Sequence, residues 1–565
     1  MMAARRLAPA PTPAPRGQAL ITAIQLGAIA VFAILATVRF LVAPLDRYDE
    51  GVTLTDGALT AAGHVPFRDV WMTYGPLDVY VLAAAFHLIA TNVVVERLLG
   101  ALVLMLLAVM GYAIAGRLGL SGGIRLLLSG LISAGALAVP AFTSAFFVNL
   151  IGMVAVLVFL ISLERDSPRW PLAVGAIVGL SAFSRPEYAL ALGAGLGTGY
   201  LALGYRGAAV RRWLLPYAAG VLAVAGLLWG VTIWQAGIGP IWFDVVNHAI
   251  NIYPQARSIP LGRGHEGAFV IVLSLVFAAI WLWGARHALQ QRRDRLERAR
   301  TLALLVAGLL LYNWVRIRAD GIHALGVWPL VAILLALLLA RRRRRARPAP
   351  RALDAAVAVT GILLFSVGAG GLALRDLAQS GAAADIPRAG LSGQRSWMAA
   401  PDLASLVRQI DQLTPAGQPI WVGLQRNDLA NLNDTTLYFL SARNPGTAYY
   451  IAVPGLTNAD AVQRVIACQL EQSGVSLAVL GPNGEGEPWN LSSVPGSRFL
   501  DQWLAQRTIG RSSFGPYDLV RLTPGFGSGD RCPSSGGGVL DSGWRAARGT
   551  SRPSAGSGAP GSAAS

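Results

Sequence analysis

A chain of 565 residues that is 54% hydrophobic and only 14% charged, with mean hydropathy +0.50, is not a soluble globular enzyme, because such proteins carry about a quarter charged residues. Its formal charge of +17 comes from arginine alone, and the arginines sit in short clusters between apolar runs, which is the pattern of cytoplasmic loops rather than of a nucleic-acid surface. Two cysteines, Cys468 and Cys532, exclude a disulfide framework and could form one bond if their region lies outside the cytoplasm. No CxxC or HExxH spacing offers a metal site.

Residues 1–18, MMAARRLAPAPTPAPRGQ, read as a cytoplasmic tail. The apolar run that follows is too long for a signal-peptide core and lacks a clear small-residue cleavage site, so it is expected to stay as the first span. A crossing helix needs about 20 apolar residues. Spans are expected near 19–43, 96–116, 124–141, 147–163, 170–184, 187–204, 213–236, 266–285, 300–316, 324–340 and 353–374. These eleven put every arginine cluster, from "GRLGLSGGIR" to "RRRRRARPAPR", on the cytoplasmic side and the C-terminal region outside. The short apolar segment 77–91 is the ambiguous one. Counted as a span it would place the Arg117 loop outside, so it is read as a helix at the outer interface, within a first external loop over 45–95. The fold class expected is a polytopic α-helical membrane protein, its membrane module covering 19–374.

Past Arg375 the pattern changes. "QPIWVGL", "AYYIAVP", "VSLAVLG" and "YDLVRL" read as short strands, alternating with helices in "DTTLYFLSAR", "ADAVQRVIACQLEQSG" and "SRFLDQWLAQRT". The alternation predicts a small extracytoplasmic α/β domain over 395–525 with a largely parallel sheet. No Gly-rich loop opens a helix there, so no nucleotide is assigned. The Gly/Ser/Pro/Arg tail 526–565 cannot bury a core and is expected to be disordered.

Ionisable residues at a membrane boundary are costly, and so are candidates for function. Asp49 and Glu50 follow the outer end of the first span, and Asp69 lies in the same loop, in "PFRDVWMTYGPL". A carboxylate there could take the proton of an acceptor hydroxyl; a solvated loop that helps set topology is the plainer reading. Arg185 and Glu187 interrupt an apolar stretch at "FSRPEYAL". A guanidinium suits a phosphate, and a structural Arg185–Glu187 pair is the alternative. Arg316, Arg318, Asp320 and His323 form an unusually basic external loop, explained either by an anionic lipid phosphate or by a shifted topology. The long loop 243–267, with His248, Tyr253, Arg257, Arg263 and His265, could cover a site or be a connector.

The stretch "DRYDEG…TAAGHVPFRDVWMTYGPLDVYVLAAAFHLIATNVVVERLLGAL" resembles the first external loop of GT-C fold glycosyltransferases, which include the protein O-mannosyltransferases and the lipid A aminoarabinose transferases. The shared pattern is the Asp49-Glu50 pair, then Gly63 to Asp69, Gly75-Pro76 and Arg97. "SRPEYAL", "RADGIHALGVWP" and "NDTTLYFLSARNPGTAYYIAVPG" resemble later segments of the same group. The resemblance implies a sugar donor linked to polyprenyl phosphate in the outer leaflet, a hexosyl or pentosyl transfer with inversion, and Asp49 as the base. Glu50 and Asp69 would assist or orient it. Arg185 and Arg318 would hold the lipid phosphate, with Tyr74, Glu187, Asp320 and His323 around it. It requires no cofactor, although a divalent metal is compatible with it, and it leaves protein, lipid and polysaccharide acceptors open. Two departures stand out: loop 140–149 carries no acid, and "YGPL" replaces the Lys-Pro pair of mannosyltransferase-like members. The competing readings are a transporter or flippase for a lipid-linked or anionic substrate, which should show internal repeats that are not evident, and an inactive scaffold.

Overall fold

The computed structural model describes residues 16–165, 167–204, 206–291, 293–345, 351–380, 401–523 and 532. Residues 1–15, 395–400 and, apart from Cys532, the expected tail 526–565 lie outside the described residues.

In hydrocarbon every backbone N–H and C=O must be paired within the segment, so the apolar runs fold as helices. In chain order these are α1 (Arg16–Val42), α2 (Asp49–Ala61), α3 (Leu77–Leu88), α4 (Val93–Arg117), α5 (Gly122–Ala138), α6 (Ser144–Ser162), α7 (Arg169–Ser184), α8 (Pro186–Leu203) and α9 (Leu215–Ala236), the last preceded by a π-helical turn, Val210–Leu214. There follow α10 (Ile238–Ile241), a π-helical stretch Trp242–Ile252, α11 (Tyr253–Ala256), α12 (Gly267–Gln290), α13 (Arg295–Leu311), α14 (Asn313–Ile317), α15 (Gly321–Arg345) and α16 (Arg351–Ser380). Among the described residues seven helices are long and apolar enough to cross a membrane, and the protein is a multi-pass membrane protein. Helices also occupy the four remaining expected positions, as α1, α5, α7 and α8. Helix α3, with 12 residues, is about 18 Å long at 1.5 Å per residue and falls short of a ~30 Å hydrocarbon core.

Local chemistry sets the boundaries. Asn92 accepts the N–H of Val95 to start α4, and Asp294 accepts that of Glu297 to start α13. Pro186 ends α7 at Ser184 and supplies the first residue of α8. Helices α8 and α13 pack backbone to backbone: a methyl group at Gly195 would meet the Ala303 carbonyl oxygen at 2.5 Å. Small residues at such a seam are how membrane helices approach closely.

The chain divides into two compact units, the first drawn from 1–62, 74–231 and 259–404, the second from 63–73, 232–258 and 405–565. The second is thus built from three separated stretches. Within it the N–H of Trp71 bonds the Ala448 carbonyl at 3.1 Å, and the side-chain amide of Asn490 bonds the Ser258 carbonyl at 2.8 Å.

The last stretch carries α17 (Pro401–Leu413), α18 (Thr436–Ser441), α19 (Asp460–Gln472), α20 (Phe499–Arg507) and a five-stranded sheet of order β2-β1-β3-β5-β4. The strands are β1 (Pro419–Leu424), β2 (Asn444–Pro445), β3 (Leu477–Gly481), β4 (Thr508–Phe514) and β5 (Tyr517–Leu522). β2, β1 and β3 run parallel, whereas β5 pairs antiparallel with both β3 and β4. The sheet is therefore mixed rather than largely parallel. β4 is a mostly exposed edge strand without an apolar face, so the sequence pattern does not reveal it. "AYYIAVP" is buried but is no strand, because the amide of Asn433 takes its hydrogen bonds instead, donating to Tyr450 O and accepting from Ala452 N at 2.8 Å each. Cys468 and Cys532 form a disulfide.

Candidate active site

The turn after α1 places the acidic pair. The Asp46 carboxylate accepts the N–H groups of Tyr48 and Asp49 at 2.8 and 2.7 Å, which starts α2 at Asp49. Consecutive helical residues point about 100° apart, so the pair divides. Glu50 turns inward and is 2% exposed, while Asp49 is exposed in the first turn of the helix.

Glu50 meets Arg97, one residue past Glu96 in the first turn of α4. Arg97 Nε and Nη2 donate to the two Glu50 oxygens at 2.7 and 2.9 Å. Nη1 donates to the carbonyls of Phe40 and Ala43, and Nη2 also to that of Pro44. All five guanidinium N–H groups are thereby used, and Arg97 ties the carbonyl-rich end of α1 to α2. Beside it Glu96 is fully buried, one oxygen accepting the Phe142 N–H and the other without a partner. Deeper in the same unit Arg39 pairs with Asp376 at 3.1 Å, joining α1 to α16.

A second group gathers at the α7–α8 turn. The Arg185 guanidinium lies 3.8 Å from the centre of the Tyr74 ring and 4.7 Å from that of Trp314, and pairs with Glu187 at 3.1 Å. Stacking on two rings holds a planar cation in place and lowers the cost of burying it. Trp314 belongs to α14, whose end leads into a third group. There Asp320 accepts Arg318 Nε at 2.7 Å through one oxygen and contacts His323 Nδ1 at 2.6 Å through the other. Burial alone would push the Asp320 carboxyl up, but the hydrogen bonds and charge of His323, together with Arg318, hold it at about 2. Tyr74, Arg185 and Glu187 are thus brought together, as are Arg318, Asp320 and His323.

Asp69 is in the second unit. Arg68 grips both its oxygens at 2.8 Å, and the Val65 N–H donates to it at 2.7 Å. The hydrogen bonds from Arg68 hold its carboxyl below the usual range, and the residue closes the 65–69 turn. The same unit buries Asp244 and His248, one helical turn apart on the π-helical stretch. Asp244 accepts the Met72 N–H at 3.4 Å, and burial pushes its carboxyl well up. His248 packs edge-on to Trp71, neither ring nitrogen has a partner, and burial with the charge of Arg257 lowers it to about 4.

The sequence reading did not single out Asp78, Glu96, Arg39, Asp376 or Asp244. Each is one acid or base inside an apolar or amphipathic helix, with no spacing motif around it. Among the described residues no three His, Cys, Asp or Glu side chains come together in a way that could hold a metal ion.

No family model matches the sequence, and no curated protein matches it. Solved structures do resemble the chain. ArnT from Cupriavidus metallidurans, bound to undecaprenyl phosphate, is 16% identical with a TM-score of 0.57 over 92% of this chain and 100% of its own. The same protein in the apo state is 15% identical with a TM-score of 0.55, over 90% and 98%. At this identity the likeness is one of fold: the chain shares the fold of ArnT, the GT-C fold that its first loop implied.

Proposed function

We propose that this GT-C fold protein is a membrane glycosyltransferase that takes a sugar from a polyprenyl-phosphate donor at the extracytoplasmic face, with Asp49 as the base. The observation that carries the reading is the division of the acidic pair. Glu50 is buried on Arg97 and the Asp46 N–H, and Asp49 lies on the exposed face of the same helix start. In the reaction the acceptor oxygen attacks the anomeric carbon, the bond from that carbon to the phosphate oxygen breaks, and its electron pair leaves with the lipid phosphate. The acceptor proton passes to Asp49. Inversion follows from a single displacement.

A lipid donor stays in the bilayer, so its site must lie at the membrane surface, and its leaving phosphate gains negative charge that fixed cations stabilise. Arg185, held on Tyr74 and Trp314, fits that need best, because its carboxylate partner Glu187 is solvent-exposed whereas Arg318 is paired closely with the more buried Asp320. Glu187, Asp320 and His323 orient the two arginines. Asp69, occupied by Arg68, is assigned the shaping of its turn. The structure of ArnT with undecaprenyl phosphate supports a donor of this class. The Cys468–Cys532 disulfide supports an extracytoplasmic C-terminal domain, since such bonds persist in oxidising compartments, and with it a cytoplasmic N-terminus.

The test compares wild type with Asp49→Asn in membranes supplied with a panel of radiolabelled polyprenyl-phosphate sugars. Transfer by the wild type, lost in the variant at equal protein level, is expected. Equal transfer by both would remove Asp49 as the base.

A further inference from the structure

The segment that carries Tyr74 continues into α3, and it packs directly on the turn that carries Arg185. A methyl group at Gly75 would meet the Phe183 carbonyl oxygen at 2.3 Å, so only glycine allows this approach, and the ring of Tyr80 stacks on Phe183 at 6.2 Å. Asp78 lies on the first turn of α3. It is 7% exposed, and its Oδ1 has no hydrogen-bond partner. Buried polar atoms are nearly always paired. An unpaired, buried carboxyl oxygen on a helix start that packs against the turn of a ring-held guanidinium is the mark of a place for a polar ligand.

The geometry points to Asp78 as a hydrogen-bond donor to the phosphate of the lipid donor, acting in its protonated form beside Arg185. The assignment rests on the lipid-phosphate reading above and adds to it an acid that must hold its proton for the anion to bind. Burial pushes the Asp78 carboxyl up to about 7, against the opposing pull of backbone N–H groups and the Arg185 charge. The charged and titratable groups on elements packed against α3 are Asp49, Glu50 and Asp56 on α2, Glu96, Arg97, Tyr112 and Arg117 on α4, Arg169 at the far end of α7, and Arg185 with Glu187 at the α7–α8 turn. Glu50 is matched by Arg97, and Arg185 is the charge that acts on Asp78. An Asp78 anion would repel a phosphate; its acid form donates to it.

The experiment measures binding of undecaprenyl phosphate, undecaprenol and inorganic phosphate to the purified full-length protein in lipid nanodiscs from pH 5.5 to 8.5. Wild type, Asp78→Asn and Asp78→Ala are compared. Asp78→Asn keeps a donor but cannot ionise, so it reports the titration of the ligand phosphate alone. Expected is a wild-type affinity for undecaprenyl phosphate that falls, relative to Asp78→Asn, as pH rises through about 7. At pH 6 Asp78→Ala should bind about tenfold more weakly, as for loss of one hydrogen bond to a charged group, and Asp78→Asn should bind nearly as well as wild type. Superimposable pH profiles for wild type and Asp78→Asn would overturn the assignment while leaving the lipid-phosphate reading intact, and Asp78→Asn alone decides this if Asp78→Ala does not fold. Equal wild-type affinity for undecaprenyl phosphate and undecaprenol would overturn both.

Discussion

Arg97 grips both oxygens of Glu50, at 2.7 and 2.9 Å, with both side chains 1% exposed. Removing one partner of a buried pair leaves the other charge uncompensated, at a cost of about 3–5 kcal/mol. Glu50→Ala and Arg97→Ala should each lower the thermal midpoint of the purified protein sharply. Asp49→Asn, at an exposed site, should leave the midpoint within about 0.5 kcal/mol of wild type while abolishing transfer. If Glu50→Ala were as stable as wild type, the clamp would not hold the first loop.

The ring cradle of Arg185 predicts a difference between two basic residues. Lysine keeps the charge but cannot stack its plane on Tyr74 and Trp314. Arg185→Lys should raise the KM for the lipid donor roughly tenfold, in line with about 1–2 kcal/mol for a desolvated cation–π contact, and Tyr74→Leu should act in the same direction. An unchanged KM in both variants would take Arg185 out of the donor site.

His248 predicts an acid limb. The folded protein keeps it neutral down to about pH 4, while an unfolded chain protonates it near its ordinary value of 6.5. Between these pH values the unfolded state binds more protons, so the contribution of His248 to stability is present above about 6.5 and is lost as pH falls toward 4. The full loss is about 3.5 kcal/mol at 1.4 kcal/mol per unit. Asp244, whose carboxyl is raised, works in the opposite direction and weakens folding as pH rises. Thermal unfolding from pH 7 to 4 should show a steep loss in wild type and a shallower one in His248→Phe.

The disulfide spans 64 residues of sequence. Closing a loop of that length restricts the unfolded chain by about 4 kcal/mol in the chain-entropy model. Cys468→Ser with Cys532→Ser should lower the denaturation midpoint of the C-terminal segment, read by pulse proteolysis, and reductant should lower the wild-type midpoint alike. Reductant with no effect would remove this constraint.

The membrane class was legible because lipid imposes one rule on long apolar runs, and a helix covers each of the eleven runs marked in the sequence. The acidic pair was legible as a pair but not in its division, since nothing in "DRYDEG" says which acid faces Arg97. Sheet direction was not legible either. β5 is a buried strand whichever way it runs, and its antiparallel pairing comes from the short Gly515-Pro516 turn that joins it to β4. Asp78 was hidden because one acid at a helix start reads as ordinary dipole chemistry; its burial is set by Gly75 packing on a turn more than a hundred residues away.

The three-stretch origin of the second unit bears on how the protein is made. Residues 63–73 emerge from the ribosome long before Ala448, whose carbonyl the Trp71 N–H takes. Two early loops must therefore wait, with hydrogen bonds unmet, until the last quarter of the polypeptide has been made and joins them. The segment from residue 401 onward cannot be produced as a free-standing piece with its native contacts complete. Synthesis and assembly are coupled in this protein, and a premature stop before Ala448 would leave both early loops, as well as the last sheet, without their partners.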